Sequence, residues 1–332
     1  RDLVYNRSLI GVTLSDDAPS TLGLRLAAGQ READAELQTH SGAAGEKVLF
    51  NRETAYNHVE VTQIGEIRLL TFGQAGLKMP QTMMNLRNIK AHPSEYTGNL
   101  LAPLLYKADV KRVLIVGLGG GDVARAVETC FPDVVMDVVE IDPAVVRAAQ
   151  EFFFWKPSRN VTVFTMDGRS FLNMAIMTHR EAYDWVLLDA FGDDFAPFHM
   201  NTREFYSIVQ RVLVPGGVLA VNTHLDHDLY SYQARTLQSV FEQVDAYMSH
   251  RGGNVILAAQ EGATQPMTPD RALAARKATR LAPGAAVDLK YITTCLLSQP
   301  NWDPEGEIFT DTWAPVESLM ETRIDSFCLD PA

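Results

Sequence analysis

Residues 112–122 have the sequence RVLIVGLGGGD, in which a short apolar run leads directly into a cluster of glycines. The β-branched run over Arg112–Val116 predicts a buried strand, and the spacing of apolar residues over Val123–Cys130 predicts a helix directly after the glycines. Glycines let the backbone approach a ligand closely, and the first turn of a helix presents free N–H groups. The stretch therefore predicts a strand, loop and helix that bind a nucleotide or nucleoside, with a tight turn that binds nothing as the alternative.

Strands and helices continue to alternate along the following part of the chain. The same criteria predict strands at 134–141, 161–166, 185–188 and 217–222, and helices at 143–153, 170–177 and 202–212. Such alternation is typical of right-handed βαβ units, in which helices cover both faces of a parallel sheet. We therefore expect a doubly wound, mostly parallel sheet of the Rossmann type, with the ligand at the carboxyl ends of the strands.

An acidic residue ends the second predicted strand, in the sequence VVEID over 138–142. Glu140 follows the glycines by roughly 20 residues, the interval at which Rossmann-type folds place a carboxylate on the hydroxyls of a ribose. A carboxylate can accept both hydroxyl protons, so we expect Glu140 to bind the ribose. Asp142 is expected to cap the next helix, with Pro143 in its first position.

Acidic residues also follow the third and fourth predicted strands. Asp167, with Gly168 after it, is placed to accept a hydrogen bond from an exocyclic amine such as that of adenine, with an ordinary turn or helix cap as the alternative. Asp189 lies at the carboxyl end of a central strand, where a carboxylate can act as a base or hold a cationic amine. A purely structural aspartate is the alternative at that position.

Taken together, these four motifs resemble the spermidine synthase family of aminopropyltransferases. The matching segments are GLGGGD at 117–122, VEID at 139–142, DG at 167–168 and LLDAF at 187–191. Residues 309–317 also resemble the tail of a bacterial branch of that family, whose members are often fused to membrane segments. The resemblance covers residues 54–260 and this tail.

The resemblance implies a class I methyltransferase-like Rossmann fold and assigns roles to individual residues. It implies that Glu140 binds the ribose, that Asp167 contacts adenine, and that Asp189 is the catalytic residue that helps to deprotonate the attacking amine. The expected cofactor-binding residues are Gly117, Gly119, Gly121, Asp122, Glu140, Asp167 and Gly168.

Three segments depart from the family pattern. Gly120 stands where the family has an aspartate, and Asp122 falls two places later. The segment AFGD at 190–193 replaces SSDP, and YTG at 96–98 replaces YQE. The glutamate of YQE would hold the far amine of a diamine, so the identity of the acceptor stays open.

We expect a transferase that moves an aminopropyl group from decarboxylated S-adenosylmethionine to a small-molecule amine, with Tyr96 and Asp193 as candidate substrate-binding residues. Two alternatives stay open: methyl transfer from S-adenosylmethionine itself, and a nucleoside-binding module without catalysis. The GLGGGD pattern disfavours a nicotinamide-dependent dehydrogenase. No metal is expected, because the histidines and aspartates at 224–228 fit a solvated loop or helix cap better than a set of ligands.

The composition limits the partners and the location of the protein. The net charge is −12 and the pI is near 5.1, so no basic face for nucleic acid is expected. The three cysteines lack CxxC spacing, which favours reduced cysteines in the cytosol. No apolar run approaches the roughly 18 residues of a membrane-spanning helix. We therefore expect a cytoplasmic protein, or the soluble part of a membrane-anchored protein whose tether lies outside this chain, and a homodimer is compatible with either.

Four regions are predicted: an N-terminal extension, a small β-rich N-terminal domain, the Rossmann-like nucleoside-binding catalytic domain, and a C-terminal extension packed on the core. Their limits are 1–50, 51–105, 106–260 and 261–332. Alternation of apolar and polar residues over 54–73 predicts a hairpin turning at Gly65. A helix is expected at 24–35, another at 96–106 and a strand at 292–297.

Overall fold

The computed structural model of the protein describes residues 45–73, 79–89, 95–180, 182–190, 197–225, 229–250, 253–262, 267–281 and 287–316. Within these ranges the chain forms two sheets, one small and antiparallel and one large and mostly parallel. The helix predicted at 24–35 and the candidate Asp193 lie outside the described residues. The four predicted region boundaries stay predictions.

Four antiparallel strands form the N-terminal sheet, in the order β1-β2-β3-β4. They are β1 Lys47–Glu53, β2 His58–Ile64, β3 Ile67–Phe72 and β4 Met79–Asn85. The predicted hairpin is confirmed, since β2 and β3 pair on either side of Gly65, which has a φ of 54°. A turn with positive φ suits glycine, because other residues are strained in that conformation. One face of the sheet, with Val61 and Leu70 fully buried, packs on a helix of the main domain.

Seven strands form the main sheet, in the order β10-β11-β9-β8-β5-β6-β7. They are β5 Arg112–Val116, β6 Val135–Glu140, β7 Val161–Thr165, β8 Tyr183–Leu188, β9 Leu213–His224, β10 Gln243–Met248 and β11 Asn254–Gln260. The strands from β5 to β9 pair in parallel, while β11 pairs antiparallel with both β9 and β10. The strand order reverses between β5 and β8, and a doubly wound sheet binds its ligand in the crevice at that point.

Helices cover both faces of the main sheet. In the described ranges they are α1 Glu95–Asn99, α2 Asp122–Cys130, α3 Pro143–Glu151, α4 Gly168–Met177, α5 Arg203–Val212, α6 Leu229–Gln238, α7 Pro269–Ala278 and α8 Leu289–Cys295. Alternate residues of β5 enter different cores: Val113 and Ile115 pack against α2 on one face, while Leu114 and Val116 pack against α4 on the other. The predicted doubly wound, mostly parallel sheet is confirmed.

Two of the expected elements differ in the structure. The strand predicted at 292–297 is wrong, because residues 289–295 form α8, with its buried residues at helical spacing and the Asp288 side chain capping its first turn. The helix predicted at 96–106 is broken into α1 and a 3-10 turn over Ala102–Leu105. Pro103 lies in that turn and has no N–H to continue an α-helix.

None of the helices in the described part of the chain is both long and apolar enough to cross a bilayer.

Candidate nucleoside and amine site

The glycine loop between β5 and α2 takes a path that requires residues without side chains. Gly117, Gly119 and Gly121 have φ values of 95°, 52° and 81°. A Cβ on Gly117 would lie 2.2 Å from the carbonyl oxygen of Asp189, at the end of the neighbouring strand. The N–H of Gly117 donates to the carbonyl of Val139, at 2.8 Å. The loop is therefore fixed between the carboxyl ends of β6 and β8.

Side chains from two other regions enclose this loop. The hydroxyl of Thr82, on β4, accepts a hydrogen bond from the N–H of Gly120 at 2.8 Å. A Cβ on Gly121 would lie 2.7 Å from the ring of Trp155, which is fully buried under the loop. The N-terminal sheet thus reaches the glycine loop directly, and Trp155 forms part of the support for the loop.

Glu140 is buried at the end of β6, beside the glycine loop. Its two carboxylate oxygens accept hydrogen bonds from the N–H of Leu118, at 2.9 Å, and from the N–H of Asp142, at 3.0 Å. Burial raises the pKa of Glu140, and these backbone donors oppose the rise. Each carboxylate oxygen can accept two hydrogen bonds, so both retain capacity for a ribose hydroxyl.

The predicted helix cap next to Glu140 is confirmed. The Asp142 side chain accepts from the N–H of Ala144 at 2.8 Å, and Pro143 occupies the first turn of α3. The hydroxyl of Thr54, in the turn between β1 and β2, lies 2.6 Å from the other carboxylate oxygen of Asp142. Since the N–H of Asp142 binds Glu140, the N-terminal sheet also supports the acidic end of β6.

Asp167 follows β7 and is the N-cap of α4, where its side chain accepts from the N–H of Ser170 at 2.8 Å. Its other oxygen lies 2.8 Å from Nε2 of His199. The His199 hydrogen bond lowers the pKa of Asp167 to about 2, against the opposing effect of burial. The helix cap, one of the two predicted roles, is thus present in the structure, and the contact with adenine stays a prediction.

Asp189 follows β8 and is half-buried, with its carboxylate 2.8 Å from the amide nitrogen of Asn222 on β9. Asn222 in turn accepts from Asn254 on β11, at 3.2 Å. Burial raises the pKa of Asp189 to about 6; the Asn222 hydrogen bond opposes this rise, and the charge of Asp122 adds to it. A carboxyl group with such a pKa is a stronger proton acceptor than an exposed aspartate.

A second buried carboxylate lies beside Asp189. Asp122 begins α2, and burial raises its pKa to about 6 although Arg125 forms an ion pair with it at 2.7 Å. The charges of both aspartates add to the rise that burial causes in the pKa of Tyr96, whose hydroxyl donates to the carbonyl of Gln81 at 3.0 Å. Tyr96, Asp122 and Asp189 are therefore near enough for their charges to interact, and we refer to these three residues as the acidic cluster.

No group of three histidine, cysteine, aspartate or glutamate side chains is arranged to hold a metal ion within the described ranges. Residues 226–228 of the segment weighed as metal ligands lie outside those ranges. The first histidine of that segment, His224, ends β9 and packs against Gly253.

Four polar residues that contact the site were not expected from the sequence. They are Thr54, Thr82, His199 and Asn222. Only Asn222 had a signal in the sequence, because it lies near the end of the fifth predicted strand, at the same edge as the acidic residues. The other three come from a turn, from another sheet and from a 3-10 turn over Phe198–Met200.

The strand order, the glycine loop and the acidic residues after β6, β7 and β8 define a class I methyltransferase-like Rossmann domain. Residues 100–250 match the family model described as the spermine/spermidine synthase domain. The resemblance found in the motifs is therefore confirmed over this part of the chain.

The sequence is similar to that of a polyamine aminopropyltransferase, and the fold is similar to those of solved spermidine synthase structures. The polyamine aminopropyltransferase of Vibrio vulnificus is 29% identical over 274 residues, which cover 82% of this chain and 91% of that protein. The structure of a probable spermidine synthase from Corynebacterium glutamicum has a TM-score of 0.58 at 21% identity and covers 77% of this chain and 97% of that one. A spermidine synthase in complex with the transition state analogue AdoDATO has a TM-score of 0.56 at 18% identity, covering 77% and 86% of the two chains.

The close approach at Gly117 leads to a prediction about stability. We expect Gly117→Ala to lower the free energy of unfolding by roughly 2–4 kcal/mol, because the new Cβ combines a strained φ with a collision against backbone. Gly98→Ala is the control, because a Cβ there meets no atom within 4 Å and the residue lies inside α1. Urea unfolding of both variants measures the difference, and equal unfolding free energies would show that the loop can move aside.

Proposed function

We propose that this protein transfers an aminopropyl group from decarboxylated S-adenosylmethionine to a small-molecule amine. The observation that carries the proposal is the acidic cluster of Tyr96, Asp122 and Asp189, which lies against a glycine loop suited to a nucleoside. A site of this kind attracts cationic amines and binds adenosine beside them. The similarity to a polyamine aminopropyltransferase over 91% of that protein's length supports the same reaction.

The nucleoside half of the donor would occupy the edge formed by β5, β6 and β7. Glu140 would accept from the ribose hydroxyls, since both of its oxygens are held by backbone N–H groups and keep spare capacity. Asp167 would accept from the exocyclic amine of adenine. The glycine loop would lie against the ribose, because residues without side chains leave space there.

The transfer itself requires little of the protein beyond positioning and a proton acceptor. The amine nitrogen attacks the aminopropyl carbon that is bonded to the sulfonium; the new C–N bond forms as the C–S bond breaks, and methylthioadenosine leaves. Asp189 would accept the proton that the attacking nitrogen loses, so that charge does not build up on the product. The hydrogen bond from Asn222 would fix the orientation of the Asp189 carboxylate during this step.

The same cluster supports the choice of donor. A carboxylate on the donor, as in S-adenosylmethionine itself, would be repelled by Asp122 and Asp189 when these are ionised. A decarboxylated donor brings only the ammonium of its aminopropyl group, which two carboxylates attract. The family has an aspartate in the glycine loop at the position of Gly120. In this chain the aspartate of the loop is Asp122, two positions later.

The direct test is incubation of the protein with each donor and a panel of amines: putrescine, cadaverine, agmatine and spermidine. We expect methylthioadenosine from the decarboxylated donor with at least one amine, and no S-adenosylhomocysteine from S-adenosylmethionine. Liquid chromatography with mass detection measures both products. Formation of S-adenosylhomocysteine would instead show methyl transfer, and binding of methylthioadenosine without turnover of either donor would show a binding module.

A substitution at the proposed base separates chemistry from binding. We expect Asp189→Asn to lower kcat on the order of a hundredfold or more, because the amide cannot accept the proton. The affinity for methylthioadenosine should change by less than about threefold, since asparagine is nearly isosteric. Asp184→Asn is the control: the residue lies on the same strand, far from the site, and accepts from the N–H groups of Lys111 and Arg112. Unchanged kcat in Asp189→Asn would make Asp189 a structural residue.

The coupling between the two aspartates predicts a change in the pH profile. Because Asp189 must be ionised to act as a base, kcat/KM should rise with pH through about 6 and fall away below it. Asp122→Asn removes the neighbouring negative charge that raises the pKa of Asp189, so this pKa should fall. The acidic limb of the profile should therefore move to lower pH.

Glu128→Gln is the matched control for that experiment. It removes one negative charge from the same helix, where the Glu128 carboxylate accepts from the N–H of Ser158, outside the acidic cluster. An acidic limb that moves equally in both variants would indicate a general effect of net charge and not the contact between Asp122 and Asp189.

A further inference from the structure

Asp167 and His199 form a pair across two elements at the edge of the nucleoside site. Nε2 of His199, in the 3-10 turn over Phe198–Met200, lies 2.8 Å from Oδ2 of Asp167, the N-cap of α4. The two side chains are 35% and 28% exposed, so the pair lies at the surface of the site and not in the core. An ionised carboxylate only accepts hydrogen bonds, so His199 must carry a proton on Nε2.

A second ion pair fixes the backbone of His199. Arg169, two residues after Asp167, donates to the carbonyl of His199 at 2.9 Å. The same guanidinium binds Asp311 with two hydrogen bonds of 2.8 and 2.6 Å. Asp311 also accepts from the hydroxyl of Thr202, at 2.7 Å. A bidentate arginine–carboxylate pair has a defined geometry, so the C-terminal segment fixes the backbone from which the His199 side chain extends.

The hydrogen bonds that Asp167 already accepts limit how many further donors it can bind and from which directions. Oδ1 accepts from the N–H of Ser170 and Oδ2 from His199, and the Ser170 side chain also donates to the carboxylate, so only part of its acceptor capacity is left. The His199 hydrogen bond lowers the pKa of Asp167 to about 2, so the carboxylate is fully ionised at neutral pH. Such a group binds a donor and repels an acceptor.

We propose that His199, held by Arg169 and Asp311, is a positioning residue that directs the Asp167 carboxylate at the purine and so selects 6-amino over 6-oxo purine nucleosides. This inference rests on the proposed function, which places adenine at Asp167. The amino group of adenine donates to the carboxylate, whereas the oxo group of hypoxanthine presents an acceptor and leaves the carboxylate unpaired. Sites built to bind a donor reject analogues that lack it.

The experiment compares the affinities of two ligands for the intact protein. Calorimetry gives the dissociation constants of methylthioadenosine and of methylthioinosine, and their ratio is the preference. We expect wild type to prefer methylthioadenosine by about ten- to a hundredfold, and His199→Ala to reduce this preference by about tenfold. His199→Gln should restore most of it, because its amide nitrogen can donate from about the position of Nε2.

A second histidine–carboxylate pair provides a matched control. His58 lies 2.7 Å from Glu53, beside the turn between β1 and β2 and on a different sheet from Asp167. His58→Ala removes the same kind of pair and should leave the preference unchanged. Should His199→Ala fail to fold, Arg169→Lys keeps the positive charge but removes the bidentate contact, and the preference should fall there too.

The outcomes separate this inference from the proposed function. Asp167→Asn should abolish the preference; if it does not, or if wild type shows none, the assignment of adenine to Asp167 is wrong. If Asp167→Asn abolishes the preference while His199→Ala and Arg169→Lys both keep the wild-type ratio, the role of His199 is overturned and the adenine assignment stands. A loss in His199→Ala that His199→Gln restores supports the inference.

Discussion

The site depends on one close approach of backbone to backbone, where Gly117 passes against the carbonyl of Asp189. Because β5 and β8 are neighbours at the point where the strand order reverses, this contact determines how the glycine loop crosses the end of the sheet. The Gly117 N–H fixes the loop on the other side, at the carbonyl of Val139. Leu118 can then donate to Glu140, so that Glu140 and Asp189 share one backbone support.

Much of the fold could be predicted because buried parallel strands are continuous apolar runs and the helices between them have a clear apolar period. Strands β10 and β11 were not expected. In β10, buried Gln243 and Asp245 interrupt the apolar run, and the latter is paired by Tyr106, a partner distant in sequence. The β-branched residues of α8 favoured a strand in the sequence. The segment forms a helix because the Asp288 side chain caps its first turn and its buried residues lie on one face.

The acidic residues of the site could be predicted for a similar reason: each follows a recognisable strand, and the carboxyl ends of parallel strands meet at one edge. The cap at Asp142 was also predictable, since a helix cap depends only on its immediate neighbours. The hydrogen-bond partners of these acidic residues could not be predicted. His199 reaches Asp167 across 32 residues and Asn222 reaches Asp189 across 33, contacts that arise from tertiary packing and leave no local pattern.

The contact between Thr82 and the glycine loop limits which N-terminal sheets could replace the one in this protein. A Cβ on Gly120 would lie 2.5 Å from the methyl group of Thr82, whose hydroxyl binds the Gly120 N–H. A side chain at position 120 would therefore require a smaller residue at position 82, whereas a larger residue at position 82 could not be offset at Gly120, which has no side chain to lose. The N-terminal sheet is for this reason not an interchangeable module: a sheet grafted from a relative would have to bring a side chain of matching size and polarity to the same point of the loop.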